Sequence, residues 1–256
     1  MRVICLVNNH LGWRALEYMR SREQVVGVIA HPPHRAKFAA EIESATRAAK
    51  AELFTAEDLK SPEKMQQMAA LKPDVGLSVM FGYLLKPDFL KLFPRGCLNL
   101  HPAYLPYNRG AYPNVWSIVE GTPAGVTLHY IDEGIDSGDI VAQKQIPVAI
   151  TDTGESLYGK LETLGLQLLA EAWPAVSTGQ AKRTPQRATE GTVHKTRDVE
   201  RIDEIQLDRH YPAEALLNIL RARTFPPYRG AFFRHEGKKI YVRVQFEEEA
   251  DGESRG

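Results

Sequence analysis

Apolar and polar positions along this chain follow two periods in turn. Arg2–Val7 (RVICLV), Val25–Ala30 (VVGVIA), Val75–Met80 and Cys97–Leu100 are short and apolar, and the first three are rich in β-branched residues. Such runs read as buried strands. Leu11–Arg20, Ala36–Ala49 and Pro62–Leu71 read as helices, the last with proline in its first turn. Strands alternating with helices predict an α/β fold: a Rossmann-like, mostly parallel sheet with helices on both faces. Gly125–Tyr130 and Ile140–Val148 add two strands joined by a turn rich in Gly and Asp. A long helix is expected from Thr153 to Ser177, where Leu157, Leu161, Leu164, Leu168 and Ala172 form one apolar stripe. Asp152 is placed to cap this helix, with Glu155 completing a capping box.

After Gly179 the pattern breaks into the polar run QAKRTPQRATEGTVHKTRD, which reads as a linker. A helix at Pro212–Arg223 and a hairpin at Gly230–Phe246, turning at Glu236-Gly237, form a small second unit. The expected organisation is a catalytic domain over 1–180, a helix and hairpin subdomain over 181–246, and a disordered acidic tail over 247–256. The 256 residues carry no net charge, but its distribution is uneven. Residues 1–180 hold 17 basic and 19 acidic side chains, residues 181–246 hold 14 and 8. The basic segment could contact phosphates or attract tRNA, though a solvated face is the commoner explanation for such a stretch. Hydrophobic residues at 43% and charged residues at 25% are ordinary for a globular protein. Cys5 and Cys97 sit in apolar runs, as buried thiols in a reducing compartment would. No run approaches the ~20 apolar residues of a membrane span, and no cleavable leader is visible. A cytoplasmic protein without a membrane partner is expected.

Strand one ends in Asn8-Asn9-His10-Leu11-Gly12 rather than a glycine-rich dinucleotide turn, and neither a P-loop nor G-x-S-x-G occurs. His31-Pro-Pro-His34 reads as loop residues, so no metal is expected. The informative stretch is Leu98–Asp139, LNLHPAYLPYNRGAYPNVWSIVEGTPAGVTLHYIDEGIDSGD. Asn99 and His101 lie two apart on a strand and project from one face. Pro102 ends the strand and leaves them at the carboxyl edge of the sheet, where open α/β sheets bind ligands. An imidazole that takes a proton beside an amide that donates to an oxyanion is what acyl transfer to an amine requires. A polar strand-end pair would look the same. Asp136, in Gly134-Ile-Asp-Ser-Gly-Asp139, could return to the imidazole as a third group. A turn alone would also favour Gly and Asp there.

N-x-H, then L-P-x-x-R-G, then G-V-T-x-H-x-x-D-x-G-x-D-x-G-D resembles the 10-formyltetrahydrofolate-dependent formyltransferases over about residues 1–180. The resemblance implies the formyltransferase variant of the Rossmann-like fold, with Asn99, His101 and Asp136 as catalytic residues. It implies that Phe81, Gly82, Tyr83, Leu84 and Leu85 clasp the pterin of the co-substrate 10-formyltetrahydrofolate through backbone edges. Asp132 and Gly134 would close the other side. A cis peptide before Pro106 is implied as well.

The ending HYPAEALLNILRARTFPPYRGAFF…GKKIYVRV is similar to that of nucleotide-sugar N-formyltransferases, which formylate a nucleotide-linked deoxyamino sugar, for example a dTDP-4-amino-4,6-dideoxyhexose, for surface polysaccharide or O-antigen. Their resemblance implies a homodimer through the C-terminal hairpin, whose Phe232, Phe233, Tyr241 and Val244 could meet a partner. Expected substrate contacts are Asn9, His10, Arg109, Tyr112, Asn114 and Trp116. Two alternatives stand beside this reading. A methionyl-tRNA formyltransferase would need a five-stranded C-terminal barrel where one hairpin is read, so nucleic acid is not the expected partner. A non-catalytic folate- or nucleotide-binding module would have no chemical need for all three of Asn99, His101 and Asp136.

Overall fold

The computed structural model describes residues 1–187 and 189–248. The acidic tail, apart from its first two residues, lies outside them. Strands β1 (Arg2–Val7), β2 (Gln24–Ala30), β3 (Glu52–Thr55), β4 (Val75–Val79) and β5 (Cys97–His101) are parallel, and β7 (Ala124–Tyr130) and β8 (Ile140–Ile146) join antiparallel. Their order is β3-β2-β1-β4-β5-β7-β8. The fold is the expected mostly parallel sheet, with one more strand than the pattern foresees. β3, ELFT, is too short and too exposed to show a period.

Alternate residues of β1 feed two different cores. Val3, Cys5 and Val7 pack under helices α1 (Asn9–Arg22), α2 (Ala39–Ala49) and the long α6 (Gly154–Thr178). Ile4 and Leu6 face the other way, toward Met68 of α3 (Pro62–Ala70), Phe89 of the short α4 (Pro87–Leu90), and Phe81 and Phe93. The α6 stripe lies on the sheet as expected, with Leu157, Leu161 and Leu168 at most 3% exposed. Each such leucine contributes about 1.5–3 kcal/mol by leaving water. The cap of α6 differs from the expectation. Thr153 is the N-cap and exchanges hydrogen bonds with Ser156, while the buried Asp152 accepts from Ser156 Oγ, the Ala149 amide and Lys160. Asp152 thus ties the preceding turn to the helix, and its negative charge sits at the favourable end.

Beyond β5 lie the two-residue β6 (Arg109–Gly110) and helix α5 (Pro113–Val119). The segment after α6 is no free linker. Thr184 bridges Ile140 of β8, and β9 (Val193–His194) pairs in parallel with β6. A short helix α7 (Glu200–Asp203), helix α8 (Ala213–Ala222) and the hairpin β10 (Phe232–His235) with β11 (Lys238–Tyr241) complete the chain. The hairpin turns at Glu236-Gly237, as read. Phe232 is buried, whereas Ile240 and Tyr241 are exposed. Burial pushes the Cys5 thiol up to about 12 and raises Cys97 as well, so neither is a nucleophile at neutral pH. Among the described residues no helix is long and apolar enough to cross a membrane.

Candidate active site

On β5 the even residues Leu98 and Leu100 enter the α6-side core, so Asn99 and His101 share the opposite face. On antiparallel β7, Val126 and Leu128 do the same, which puts Thr127 and His129 beside His101 and Asn99. Asp136 reaches this face from the β7–β8 loop with φ of 48°, a left-handed conformation that aspartate tolerates better than most residues.

The carboxylate is the centre of the arrangement. Asp136 Oδ1 accepts from Asn99 Nδ2 at 3.2 Å and faces His129 Nε2 at 3.4 Å. Oδ2 accepts from the Gly110 amide at 2.9 Å and faces His101 Nε2 at 3.6 Å. His101 Nε2 also meets the Asn108 carbonyl at 3.3 Å. With only acceptors around it, Nε2 carries the ring proton, which leaves Nδ1 as the accepting nitrogen. Glycine is required at 110: φ is +87°, and a Cβ would stand 2.3 Å from the His194 carbonyl oxygen. The Leu105–Pro106 peptide is cis.

Burial pushes the His101 imidazole below its ordinary value; the Asp136 carboxylate opposes this, His129 reinforces it and the Asn108 carbonyl opposes it. At neutral pH His101 is therefore the neutral, proton-accepting form. Burial alone would raise the Asp136 carboxyl, but His101, His129 and the Gly110 amide outweigh it and hold it well below the usual carboxylate range. A permanently charged carboxylate beside a neutral imidazole is ready to support an imidazolium as a proton arrives.

Pro102, the residue after His101, lines a cavity of about 720 Å³ together with Met80, the start of α1, the first half of α6 and the C-terminal unit; Asn99, His101 and Asp136 are not among its lining residues. Of the expected substrate residues, Asn9, His10, Tyr112 and Asn114 line it. Asn9 and His10 do so as the first residues of α1 rather than as the end of β1. Asn9 Nδ2 donates to Tyr158 Oη at 2.7 Å, and Asn114 Nδ2 donates to the Gly154 carbonyl at 2.8 Å. Arg109 and Trp116 are not brought to the cavity. Arg109 is 6% exposed and bonded to Gln186; Trp116, also 6% exposed, stacks on His194 with ring centroids 4.1 Å apart. Walls that were not foreseen are Tyr158 and Glu162 of α6 together with Arg223, Phe225, Tyr228 and Arg229. Lys37 Nζ lies 2.5 Å from Tyr228 Oη and 4.7 Å above its ring centroid.

The Phe81–Leu85 loop leaves the carboxyl end of β4. Phe81 is 1% exposed, and its carbonyl is taken by His31 Nε2. Gly82 has φ of +67° with open space where a Cβ would stand, and Leu84 is 81% exposed. Across the site, Asp132 Oδ1 accepts from the Gly134 amide and Ser137 Oγ, shaping the second loop. Among the described residues no group of three or more His, Cys, Asp or Glu could hold a metal ion.

Fold and site together define a Rossmann-like protein with an imidazole, a carboxamide and a carboxylate converging at the carboxyl edge of the sheet. The chain belongs to the formyl transferase family, whose model matches residues 1–173; an N-formyltransferase dimerization C-terminal domain matches residues 198–248. The methionyl-tRNA formyltransferase of Myxococcus xanthus is 38% identical over 185 residues, covering 72% of this chain. The chain spans 58% of that relative's length. The dTDP-4-amino-4,6-dideoxyglucose formyltransferase of Mycobacterium bovis is 36% identical over 160 residues, 62% of this chain and 68% of that protein. A 4-N formyltransferase from Francisella tularensis matches in structure with a TM-score of 0.84 at 25% identity, covering 96% of this chain and 98% of its own.

Proposed function

We propose that this protein transfers a formyl group from 10-formyltetrahydrofolate to the amino group of a nucleotide-linked deoxyamino sugar. The observation that carries this reading is the convergence of Asn99, His101 and Asp136 at the carboxyl end of β5, where the next residue, Pro102, lines a cavity walled in part by the C-terminal unit. The folate donor supplies an activated formyl carbon on nitrogen. The amine nitrogen bonds to that carbon, the carbonyl pair moves to oxygen, and the oxyanion then collapses as the bond to the folate nitrogen breaks. Asn99 donates to the oxyanion, a contact worth about 2.7–4 kcal/mol where such donors have been removed. His101 accepts the amine's proton and passes it to the departing folate nitrogen. Asp136 stabilises the imidazolium in between. The open backbone around Gly82 and the loop shaped by Asp132 and Gly134 suit the donor's pterin, with Phe81 acting from the core rather than through its occupied carbonyl.

Acceptor specificity rests on the C-terminal unit. Phe225, Tyr228 and Arg229 of this unit, with Lys37, offer aromatic and cationic groups suited to a base and a pyrophosphate. A dTDP-linked 4-amino sugar is the acceptor we favour, on the likeness to the mycobacterial relative. Exposed Ile240 and Tyr241, in a segment matching a dimerization family, support a homodimer through the hairpin; the compartment we propose is the cytoplasm.

The test is incubation with 10-formyltetrahydrofolate and a panel of nucleotide-linked 3- and 4-amino-dideoxy sugars, with methionyl-tRNA as competing acceptor, read by mass spectrometry. A formylated sugar is expected. Formylated methionyl-tRNA in its place would overturn the acceptor assignment.

A further inference from the structure

Residues 174–197 fall between the two family models, and part of this segment straps the site from outside. Its centre is Gln186. The amide nitrogen donates to the carbonyl oxygens of Asp136 at 2.9 Å and Gly138 at 2.7 Å. The amide oxygen accepts from Arg109 Nε at 3.3 Å and Nη2 at 3.0 Å. Partners of opposite kind at its two ends leave the amide one orientation.

What Gln186 holds is the main chain that carries the catalytic carboxylate. Asp136 has the left-handed φ noted above, and the four residues before it, Asp132–Ile135, are exposed. The carboxylate's own partners act only once the loop is in place, whereas Gln186 grips the backbone on both sides of Ser137. Arg109 is buried, with no carboxylate within 4.0 Å among the described residues. Its cation polarises the Gln186 amide and strengthens it as a donor. The strap also sets the other half of the pair. Thr192 Oγ1 accepts from the Asn108 amide at 2.9 Å and donates to Asn108 Oδ1 at 3.0 Å, and the Asn108 carbonyl faces His101.

We propose that Gln186 is a positioning residue of the transfer reaction: anchored by Arg109, it fixes the Asp136 backbone so that the carboxylate stays on His101. The inference rests on the reaction proposed above and extends its machinery beyond the family's catalytic model. Arg109 then belongs to the scaffold of the site.

Gln186→Leu removes both functions of the amide. Gln186→Glu keeps an acceptor for Arg109 but cannot donate to the two carbonyls. In each variant kcat is expected to fall about 10- to 100-fold, the scale of lost outer-shell support. KM for both substrates should stay within about twofold. In Gln186→Leu, which adds no charge, the acid limb of the pH–rate profile, and the His101 titration followed by NMR in the substrate-free enzyme, should move to lower pH. The direction follows from the groups facing His101, which are Asp136 from the β7–β8 loop and His129 from β7; a loosened Asp136 supports the imidazolium less. A lower Tm with unchanged kcat per folded enzyme and an unmoved His101 titration would overturn the proposal. Should the leucine variant fail to fold, wild-type kcat in Gln186→Glu would do the same. The NMR arm needs no substrate. A shifted His101 titration in an enzyme that formylates no acceptor would uphold the positioning role and sink the reaction; an unmoved one in an active enzyme would sink the role alone.

Discussion

Replacing Asp136 by asparagine probes the site at its centre, and the structure sets the size of the effect. Both carboxylate oxygens act as acceptors: Oδ1 toward Asn99 and His129, Oδ2 toward the Gly110 amide and His101. An asparagine side chain can accept on one side only, so its NH₂ group must face a donor on the other. The charge is lost as well. At 3.6 Å, and with an effective dielectric of about 20, the attraction between Asp136 and a His101 imidazolium is about 4–5 kcal/mol. With roughly half the proton transferred in the transition state, about 2–3 kcal/mol of that attraction is lost, near 10²-fold in rate. The donor clash adds to it. Turnover of Asp136→Asn should therefore fall at least 10²-fold with the protein still folded, as followed by mass-spectrometric product formation and circular dichroism. The pH profile supplies an independent sign. The carboxylate raises the His101 pKa against burial, so its removal lowers that pKa further and the acid limb of kcat/KM moves to lower pH. A rate within tenfold of wild type, or an acid limb that moves upward, would refute the assignment of Asp136 as the group that supports the imidazolium.

Other changes separate chemistry from stability. His101→Ala should lower kcat at least 10²-fold with little change in Tm, because it removes the accepting nitrogen. Gly110→Ala should lower both kcat and Tm, since the new Cβ meets the His194 carbonyl and displaces the amide that holds Asp136; an active, fully stable variant would contradict the role of β6. Leu157→Ala, at a fully buried position of α6, should cost about 2–5 kcal/mol in denaturant unfolding without altering kcat of the folded enzyme. Asp152 has a carboxyl that burial would raise but that Lys160, Ser156 and the Ala149 amide hold lower. The stability it contributes is therefore present above about pH 4, the unfolded value, and is lost as pH falls through the lower folded value. Unfolding of Asp152→Asn compared with wild type should show a difference at pH 7 that narrows in acid.

Much of this molecule was readable because its physics is local. The β1, β2, β4 and β5 runs are apolar enough to be nothing but buried strands, and the α6 stripe names the face that meets the sheet. The spacing of Asn99 and His101 was decisive, since residues two apart on a strand must share a face. The same argument reaches His129, which the sequence reading passed over. It lies on β7 and pairs with Asn99 of β5, and Val126 and Leu128 on its strand are apolar at the alternate positions. An Asp before a helix ordinarily caps it, yet Thr153 stands one residue nearer than Asp152 and takes that place.

The residues misread share one cause, which is that their partners lie far along the chain. Arg109 resembles a phosphate ligand until Gln186, 77 residues on, occupies its guanidinium. Trp116 resembles a stacking platform until His194 covers it. Both partners come from the polar run that composition assigns to a linker, because its hydrogen bonds are made to backbone and leave no hydrophobic period. A segment that binds through main chain and single polar side chains cannot announce itself in a pattern of apolar positions. Its consequence is functional as well as structural. It holds Arg109 and Trp116 away from the cavity, which is lined instead by Asn9, His10, Tyr112, α6 and the C-terminal unit; on the function proposed above, acceptor recognition falls to these residues.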